Sequence, residues 1–232
     1  MIPLVLLPGM MCDARLFSPQ IAAFSTERAV QIAPLTQHKT MEALARSVLD
    51  TAPPQFALAG LSMGGLVAME IMRLAPERVT HLALIDTNPK AELPEVSARR
   101  EPQIAKVQAG QLRQVMRDEM KPNYLSDGPN QGAILDLCMA MAEALGSEVF
   151  ERQSRAVQHR SDQQDTLRQV KVPTLIMCGE DDTLCPSERH QLMHELVDGS
   201  TLVIIPGAGH LPTLEQPELS IEALTQWLLS IN

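Results

Sequence analysis

The stretch that decides the fold lies at residues 56–68 and has the sequence FALAGLSMGGLVA. Its first six residues form an apolar run typical of a buried strand, and the residues after Ser62 have the spacing of a helix. The turn between them carries the pattern Gly-x-Ser-x-Gly, which in a strand-turn-helix context is a nucleophile elbow. The glycines at 60 and 64 leave room for close backbone neighbours. We therefore predict that the Ser62 hydroxyl projects above the end of a strand, at the amino terminus of a helix whose N–H groups favour negative charge.

Two later segments supply the partners that a nucleophilic serine needs, a base and a carboxylate that orients the base. His210 lies in a glycine-rich loop directly after an apolar run. Asp181 and Asp182 follow another apolar run, and Asp86 ends a third. Because the carboxyl ends of parallel strands meet at one edge of a sheet, these side chains can approach Ser62. The chain order serine, aspartate, histidine is the one that accompanies this type of elbow.

Acyl transfer at a serine also needs backbone N–H groups that stabilise the negative charge on the attacked oxygen. Met63, directly after the serine, supplies one such group. The second is expected from the loop after the first apolar run, where Pro8 has no N–H to donate and Gly9 lets the backbone turn closely. We predict that Met10 donates there, with Met11 as the alternative.

Short apolar runs alternate with segments of helical spacing along most of the chain, which predicts an α/β fold. The runs are nearly continuous in apolar residues, so they favour a mostly parallel sheet with helices on both faces. About six strands are expected, at Leu4–Leu7, Val30–Ala33, Phe56–Leu61, Val79–Ile85, Thr174–Cys178 and Thr201–Ile205. Helices are expected at about 40–50, 63–75, 186–197 and 217–230.

One long stretch, residues 88–165, interrupts this alternation. It contains no convincing strand and consists of amphipathic helical patterns separated by Pro94, Pro102, Pro122, Gly128-Pro129 and Gly146. We predict a core domain built from residues 1–87 and 166–232, with residues 88–165 inserted after the fourth strand as a helical cap.

With these segments the chain resembles the α/β-hydrolase superfamily over nearly its whole length. The similar segments are Leu7-Pro8-Gly9, Gly60–Gly65, Pro173–Asp182 and Gly207–Glu218. The family pattern Gly-x-x-Asp-x-x-x-Pro, placed on Gly179 and Pro186, selects Asp182 over Asp181 as the acid. It also leaves Asp86 with a structural role. The chain departs from many members at Pro8, where they have histidine, and at Leu211, where they have an aromatic residue.

The resemblance implies a serine hydrolase with Ser62, His210 and Asp182 as its catalytic triad. The elbow and short cap are most similar to the enol-lactonase and small-carboxylesterase branch, so the expected substrate is a small carboxylic ester or lactone. The reaction passes through an acyl-enzyme and requires no metal or organic cofactor. Thioesterases, C–C bond hydrolases and cofactor-free perhydrolases share the same elbow and stay as alternatives. A weakly catalytic ligand-binding or signalling protein of this fold is the alternative from another class.

Composition excludes several other classes of function. The chain has 232 residues, of which 45% are hydrophobic, so it can bury a full core. Its formal net charge of −9 opposes general nucleic-acid binding. No apolar run approaches the length of a membrane span, and the short first run lacks the basic flank of a signal peptide. We therefore expect a cytoplasmic enzyme that binds neither nucleic acid nor membrane, with its four cysteines reduced.

Methionine is unusually frequent, with 13 residues against six aromatic ones. Met10, Met11 and Met63 fall on the predicted oxyanion loops, and four more fall in the predicted cap: Met116, Met120, Met139 and Met141. Core packing is the preferred interpretation for most of the four in the cap. Because thioether side chains are flexible and aromatic residues are few, we still expect an aliphatic, thioether-lined acyl pocket of adaptable shape.

Two pairs of residues have the spacing of a further site, but the simpler interpretation is favoured for both. His190 and His194 are four apart on one helix, a spacing that metal ligands use. They lack the accompanying glutamate, so we expect solvent-facing side chains. Arg113 and Arg117 could meet an anionic substrate from the cap, but a solvated helix face is the preferred interpretation.

Overall fold

Six parallel strands form a single sheet in the order β2-β1-β3-β4-β5-β6. The computed structural model describes residues 1–230, without the side chain of Asn123. The strands are β1 Leu4–Leu7, β2 Val30–Ile32, β3 Phe56–Leu61, β4 Val79–Ile85, β5 Thr174–Gly179 and β6 Thr201–Ile205. The predicted α/β class is therefore confirmed, and the predicted strand bounds differ by one residue at β2 and at β5.

Burial explains why these strands read as continuous apolar runs. Every residue of β1, β3 and β5 is buried. Val5 and Leu58 point into the core cluster on one face of the sheet, and Leu4 and Ala57 point into the cluster on the other. A parallel sheet covered on both faces requires apolar side chains at successive positions, which removes the usual alternation.

Helices cover both faces of the sheet and connect its strands. Those outside residues 88–165 are α1 Ser18–Phe24, α2 Met41–Thr51, α3 Met63–Leu74, α9 Ser187–Leu196, α10 Pro212–Glu215 and α11 Pro217–Leu229. α1 was not predicted, because seven residues after the 3-10 turn Ala14–Phe17 are too few to show a clear period. Within the described residues, no helix combines the length and apolar character that crossing a membrane would require.

The chain between β4 and β5 is helical throughout its regular structure. Its helices are α4 Pro94–Lys106, α5 Leu112–Val115, α6 Gln131–Leu145, α7 Ser147–Gln158 and α8 Gln164–Arg168. The expectation that Pro102 separates two helices was wrong, because it lies inside α4. Pro102 and Ala98 are both exposed, so water can reach the carbonyl that the proline leaves without a donor. The break comes instead at Gly110, whose φ of 86° leaves the helical region.

The sheet register brings the predicted functional loops together. β4 lies between β3 and β5, with Leu61 beside Ile85 and Ile85 beside Met177. On the next strand pair, Gly179 lies beside Ile205. The residues that follow these strands therefore share the carboxyl edge of the sheet, where loops of an α/β fold bind ligands.

Candidate active site

Ser62 occupies the tight turn between β3 and α3, with φ 54° and ψ −115°. The serine N–H donates to the carbonyl of Ile85 at 2.8 Å, which ties the turn to β4. A Cβ at Gly60 would lie 2.3 Å from the Gly64 oxygen, and one at Gly64 would lie 2.0 Å from the Leu7 oxygen. Only glycine fits at these two positions, so the Gly-x-Ser-x-Gly spacing follows directly from the backbone packing.

The three predicted catalytic side chains form one hydrogen-bonded chain. His210 Nε2 lies 2.9 Å from the Ser62 hydroxyl, and His210 Nδ1 lies 2.8 Å from Asp182 Oδ2. The other oxygen of Asp182 accepts the N–H groups of Leu184 and Cys185. Asp181, the neighbouring candidate, is exposed. Asp182, the acid that the family pattern selected, is thus the one that lies next to the histidine.

Two neighbouring buried carboxyl groups, those of Asp182 and Asp86, have pKa values shifted in opposite directions. Burial alone would raise the pKa of Asp182, but the hydrogen bond and charge of His210 outweigh it and hold that pKa well below its usual range. Burial raises the pKa of Asp86 well above its usual range, and the charge and hydrogen bonding of Asp182 add to this effect. Asp182 is therefore the ionised group that pairs with the imidazole. Asp86, whose neutral form is favoured by its raised pKa, accepts the Gly179 N–H at 2.9 Å through Oδ1.

Backbone strain is concentrated around these residues. Within the described residues, the non-glycine positions with positive φ are Met11, Ser62 and Asp86. They follow β1, β3 and β4 at the same edge of the sheet. Strained conformations of this kind persist where the surrounding contacts over-determine them, and they cluster at functional sites.

A glutamate fixes the loop that carries the histidine. Glu215 accepts the N–H of Gly209 through Oε1 and the N–H of Leu211 through Oε2, each at 2.9 Å. The His210 N–H donates to the carbonyl of Tyr124 at 2.7 Å. Hydrogen bonds therefore fix the backbone of Gly209, His210 and Leu211. The orientation of the imidazole is set before a substrate binds.

The two residues predicted to supply the oxyanion N–H groups, Met10 and Met63, line the same cavity as Ser62 and His210. Met63 is the first residue of α3, so its N–H has no carbonyl one turn earlier in the helix. Met11, the alternative donor, gives its N–H to the side chain of Gln153 at 2.8 Å.

Gln153 connects the oxyanion loop to the helices between β4 and β5. It is buried on α7, accepts from Met11 through Oε1 and donates to the Leu35 carbonyl at 2.8 Å through Nε2. Both polar ends of the amide are thereby satisfied. Nothing in the sequence around Gln153 distinguishes it from a surface glutamine, so the pattern gave no signal for this role. For Glu215 there was a weak signal, since this residue lies in the segment that resembles the family's histidine loop.

The cavity beside Ser62 has a volume of about 540 Å³ and is apolar along much of its wall. Met10, Met63 and Met120 line it with Leu66, Val96 and Val157. Of the seven methionines that fall on the predicted oxyanion loops or in the predicted cap, three therefore line the cavity. The other four, Met11, Met116, Met139 and Met141, pack in or against the core clusters.

The remaining candidate residues have structural partners. His190 is fully buried, contrary to the expectation that it faces solvent, and its Nε2 lies 3.1 Å from the Thr87 N–H. Burial lowers the pKa of His190 to about 4, so the neutral ring accepts this bond. His194 Nδ1 lies 2.8 Å from the Ser200 hydroxyl instead. Arg113 and Arg117 are exposed and pair with acidic side chains.

Comparison with known proteins agrees with this architecture. The sequence profile of the alpha/beta hydrolase family matches residues 4–223, which is most of the chain. The chain belongs to this family. A pimeloyl-[acyl-carrier protein] methyl ester esterase of Klebsiella pneumoniae is 29% identical to it, with 95% of this chain and 91% of that protein covered.

Solved structures of an esterase and of an enol-lactonase superpose closely on the chain. A thermophilic esterase from Thermogutta terrifontis has a TM-score of 0.90 at 28% identity and covers 98% of this chain and 89% of its own. The enol-lactonase from Burkholderia xenovorans LB400 has a TM-score of 0.87 at 20% identity, with 99% and 92% covered. At that identity, the similarity to the lactonase concerns the fold.

Proposed function

We propose that the protein hydrolyses a small carboxylic ester or lactone through an acyl-enzyme on Ser62. The observation that carries this proposal is the hydrogen-bonded chain from the Ser62 hydroxyl through His210 to the ionised Asp182. The serine stands in a glycine-bounded elbow that opens into a cavity. This arrangement has the geometry that activates a serine for acyl transfer.

Acylation uses the imidazole first as a base and then as an acid. His210 Nε2 takes the Ser62 proton while the serine oxygen attacks the substrate carbonyl. The N–H groups of Met10 and Met63 stabilise the resulting oxyanion. The protonated imidazole, balanced by Asp182, then gives its proton to the departing alkoxide. The products of this half-reaction are an alcohol and an ester of Ser62.

Deacylation repeats these steps with water in place of the serine. His210 takes a proton from water, which attacks the acyl carbonyl and forms a second oxyanion at the same N–H groups. Collapse of this intermediate returns the proton to Ser62 and releases the carboxylic acid. In a lactone, the released hydroxyl and acid belong to one molecule.

The relatives support an ester as the substrate. The Klebsiella protein is named for a methyl ester, and the Thermogutta protein is named an esterase. Both cover at least 95% of this chain, so the similarity extends beyond the elbow. The wall of methionine, leucine and valine fits an aliphatic portion of such a substrate.

A substrate panel with a covalent probe tests the proposal. Wild-type protein is offered esters, lactones and thioesters of graded chain length, and is labelled with a fluorophosphonate. We expect ester or lactone turnover and labelling of Ser62, and loss of both in Ser62→Ala by several orders of magnitude. The matched control Ser18→Ala, on α1, retains both. Absence of labelling and of turnover on every substrate would leave a binding protein as the function.

A further inference from the structure

We infer that the substrate carries a negatively charged group in addition to its ester, and that Arg99 and Arg189 bind that group. This inference rests on the proposed function and specifies its substrate class. The group is a carboxylate separated from the ester by a short aliphatic chain, so the class is the monoester of a dicarboxylic acid. The basis is the charge of the cavity wall and the set of arginine side chains without a partner.

The cavity is basic although the chain is acidic. Its wall includes five basic side chains and two acidic ones, Glu92 and Glu119. The basic ones are Lys90, Arg99, Arg100, Arg160 and Arg189. The whole chain, by contrast, has 28 acidic residues and 19 basic ones. A concave site lined by one sign of charge concentrates ligands of the opposite sign.

Both acidic side chains are already neutralised by arginine or lysine. Glu92, which is largely buried, binds Arg100 at 2.6 Å and Arg160 at 2.7 Å. Glu119 binds Lys106 at 2.6 Å. These pairs leave the remaining basic side chains of the wall in excess, so an anion entering the cavity meets no free carboxylate there.

Arg99 and Arg189 differ from the other arginines of the chain. Twelve of the fourteen arginine side chains have a hydrogen bond or ion pair to a carboxylate or carbonyl, for example Arg113 with Glu143 and Arg78 with four backbone carbonyls. Among the residues that the structure describes, Arg99 and Arg189 have no such partner, and both line the cavity beside Ser62. A guanidinium with five free donors in a planar fork is suited to bind a carboxylate with two parallel bonds.

The two arginines line the cavity from different elements. Arg99 lies on the face of α4 that also presents Val96 and Gln103 to the cavity. Arg189 lies in the first turn of α9, directly after the loop that carries Asp182. The ester therefore reacts at the strand ends, its aliphatic chain lies along the methionine-rich wall, and the charged end meets α4 and α9.

A matched pair of esters tests the inference. Monomethyl adipate and methyl hexanoate have acyl chains of equal length and differ at the far end, which is a carboxylate in one and a methyl group in the other. We expect wild-type kcat/KM to favour monomethyl adipate by about tenfold or more at low ionic strength, as for a charge-assisted hydrogen bond. Added salt should reduce the ratio, because the arginines are partly exposed.

Variants without the arginine charges test whether Arg99 and Arg189 cause the preference for the charged ester. The double variant Arg99→Gln/Arg189→Gln should lower the ratio of the two kcat/KM values about tenfold, and Arg99→Lys/Arg189→Lys should restore part of it. Arg113→Gln, which removes an exposed arginine outside the cavity wall, is the control and should leave the ratio unchanged. Both esters are also measured as competitive inhibitors of p-nitrophenyl acetate hydrolysis, which reports binding even without their turnover.

The outcomes separate this inference from the proposed function. Hydrolysis or binding of methyl hexanoate as good as that of monomethyl adipate, or a ratio unaffected in the double glutamine variant, overturns the charged substrate and leaves the esterase intact. Failure to hydrolyse p-nitrophenyl acetate and every other ester overturns the proposed function itself.

Discussion

The sheet core and the helices of residues 88–165 contribute to the site in different ways. The core places its functional groups through backbone geometry: Ser62 in a strained turn, and Asp182 and His210 in loops after parallel strands. The helices contribute side chains that reach across, such as Gln153 on α7 and Arg99 on α4. Hydrogen bonds to neighbouring strands fix the end of a strand in a parallel sheet, whereas a helix packed through its side chains can be rotated or shifted relative to the sheet. We therefore expect the core to control the rate of the chemistry and the helices to control positioning and substrate choice.

The largest effect should come from the acid of the core. Asp182→Asn should lower kcat about 10⁴-fold, because the amide favours the wrong imidazole tautomer and cannot balance its positive charge. The matched control, Asp181→Asn, changes an exposed neighbour and should keep kcat near the wild-type value. If Asp181→Asn were the damaging change, the acid would be the adjacent residue. Steady-state kinetics on one ester decides between the two.

A smaller loss is expected from the residue that fixes the histidine loop. Glu215→Ala removes the acceptor for N–H groups on both sides of His210 and should lower kcat about 100-fold, as a misplaced catalytic group does. The free energy of unfolding should fall by about 2 kcal/mol or more, because these bonds involve a charged group. Glu218→Ala, an exposed glutamate three residues later, is the control for both kinetics and denaturant titration. Equal kcat in the two variants would show that the loop holds its shape without Glu215.

The contact between the two regions at Gln153 should have an intermediate effect. Gln153→Leu leaves the Met11 N–H and the Leu35 carbonyl without partners, so the oxyanion loop loses its fixed position. We expect kcat to fall about tenfold with little change in KM, since the oxyanion forms in the transition state. The control is Gln158→Leu on the same helix. The Gln158 side chain donates to Ser97 and Glu101, which both lie within residues 88–165, so its loss should leave kcat unchanged. A loss confined to KM would contradict a role at the oxyanion loop.

The smallest kinetic effect should be that of Asp86→Asn. The raised pKa of Asp86 favours its neutral carboxyl form, and the amide is neutral and of the same shape, so kcat should stay within a few-fold of wild type. The pH dependence of the free energy of unfolding shows instead whether Asp86 is protonated. Because the pKa of Asp86 is raised in the folded state, that state binds a proton that the unfolded chain has lost, and stability falls as pH rises above the unfolded pKa. Asp86→Asn removes this term, so its unfolding free energy relative to wild type should increase between pH 5 and pH 8. A constant difference would show that Asp86 is ionised.

The sequence predicted the core far better than the helices. Four of six strands have the predicted bounds, because burial on both faces makes each strand a continuous apolar run. Ser62 and His210 were predicted from their positions after such runs, and Asp182 from the resemblance to the family; the structure places these three side chains within hydrogen-bond distance of one another. Residues 88–165 were correctly expected to be helical, but the continuation of α4 through Pro102 was missed. Which helix faces turn to the cavity depends on tertiary packing that periodicity does not fix. For that reason the sequence did not predict the positions of Arg99, Gln153 and Arg189 at the site. It did suggest Arg113 and Arg117, but only because they are four residues apart.

The proposed function depends on Ser62 carrying the acyl group during turnover. The most direct measurement is rapid acid quenching of wild-type protein during hydrolysis of a p-nitrophenyl ester, followed by mass spectrometry of the digested chain. We expect a mass increase equal to that of the acyl group on the peptide that contains Ser62, and no such increase in Ser62→Ala. Cys185 also lines the cavity. Turnover with the acyl group on the Cys185 peptide instead, or undiminished turnover by Ser62→Ala, would show that Ser62 is not the nucleophile.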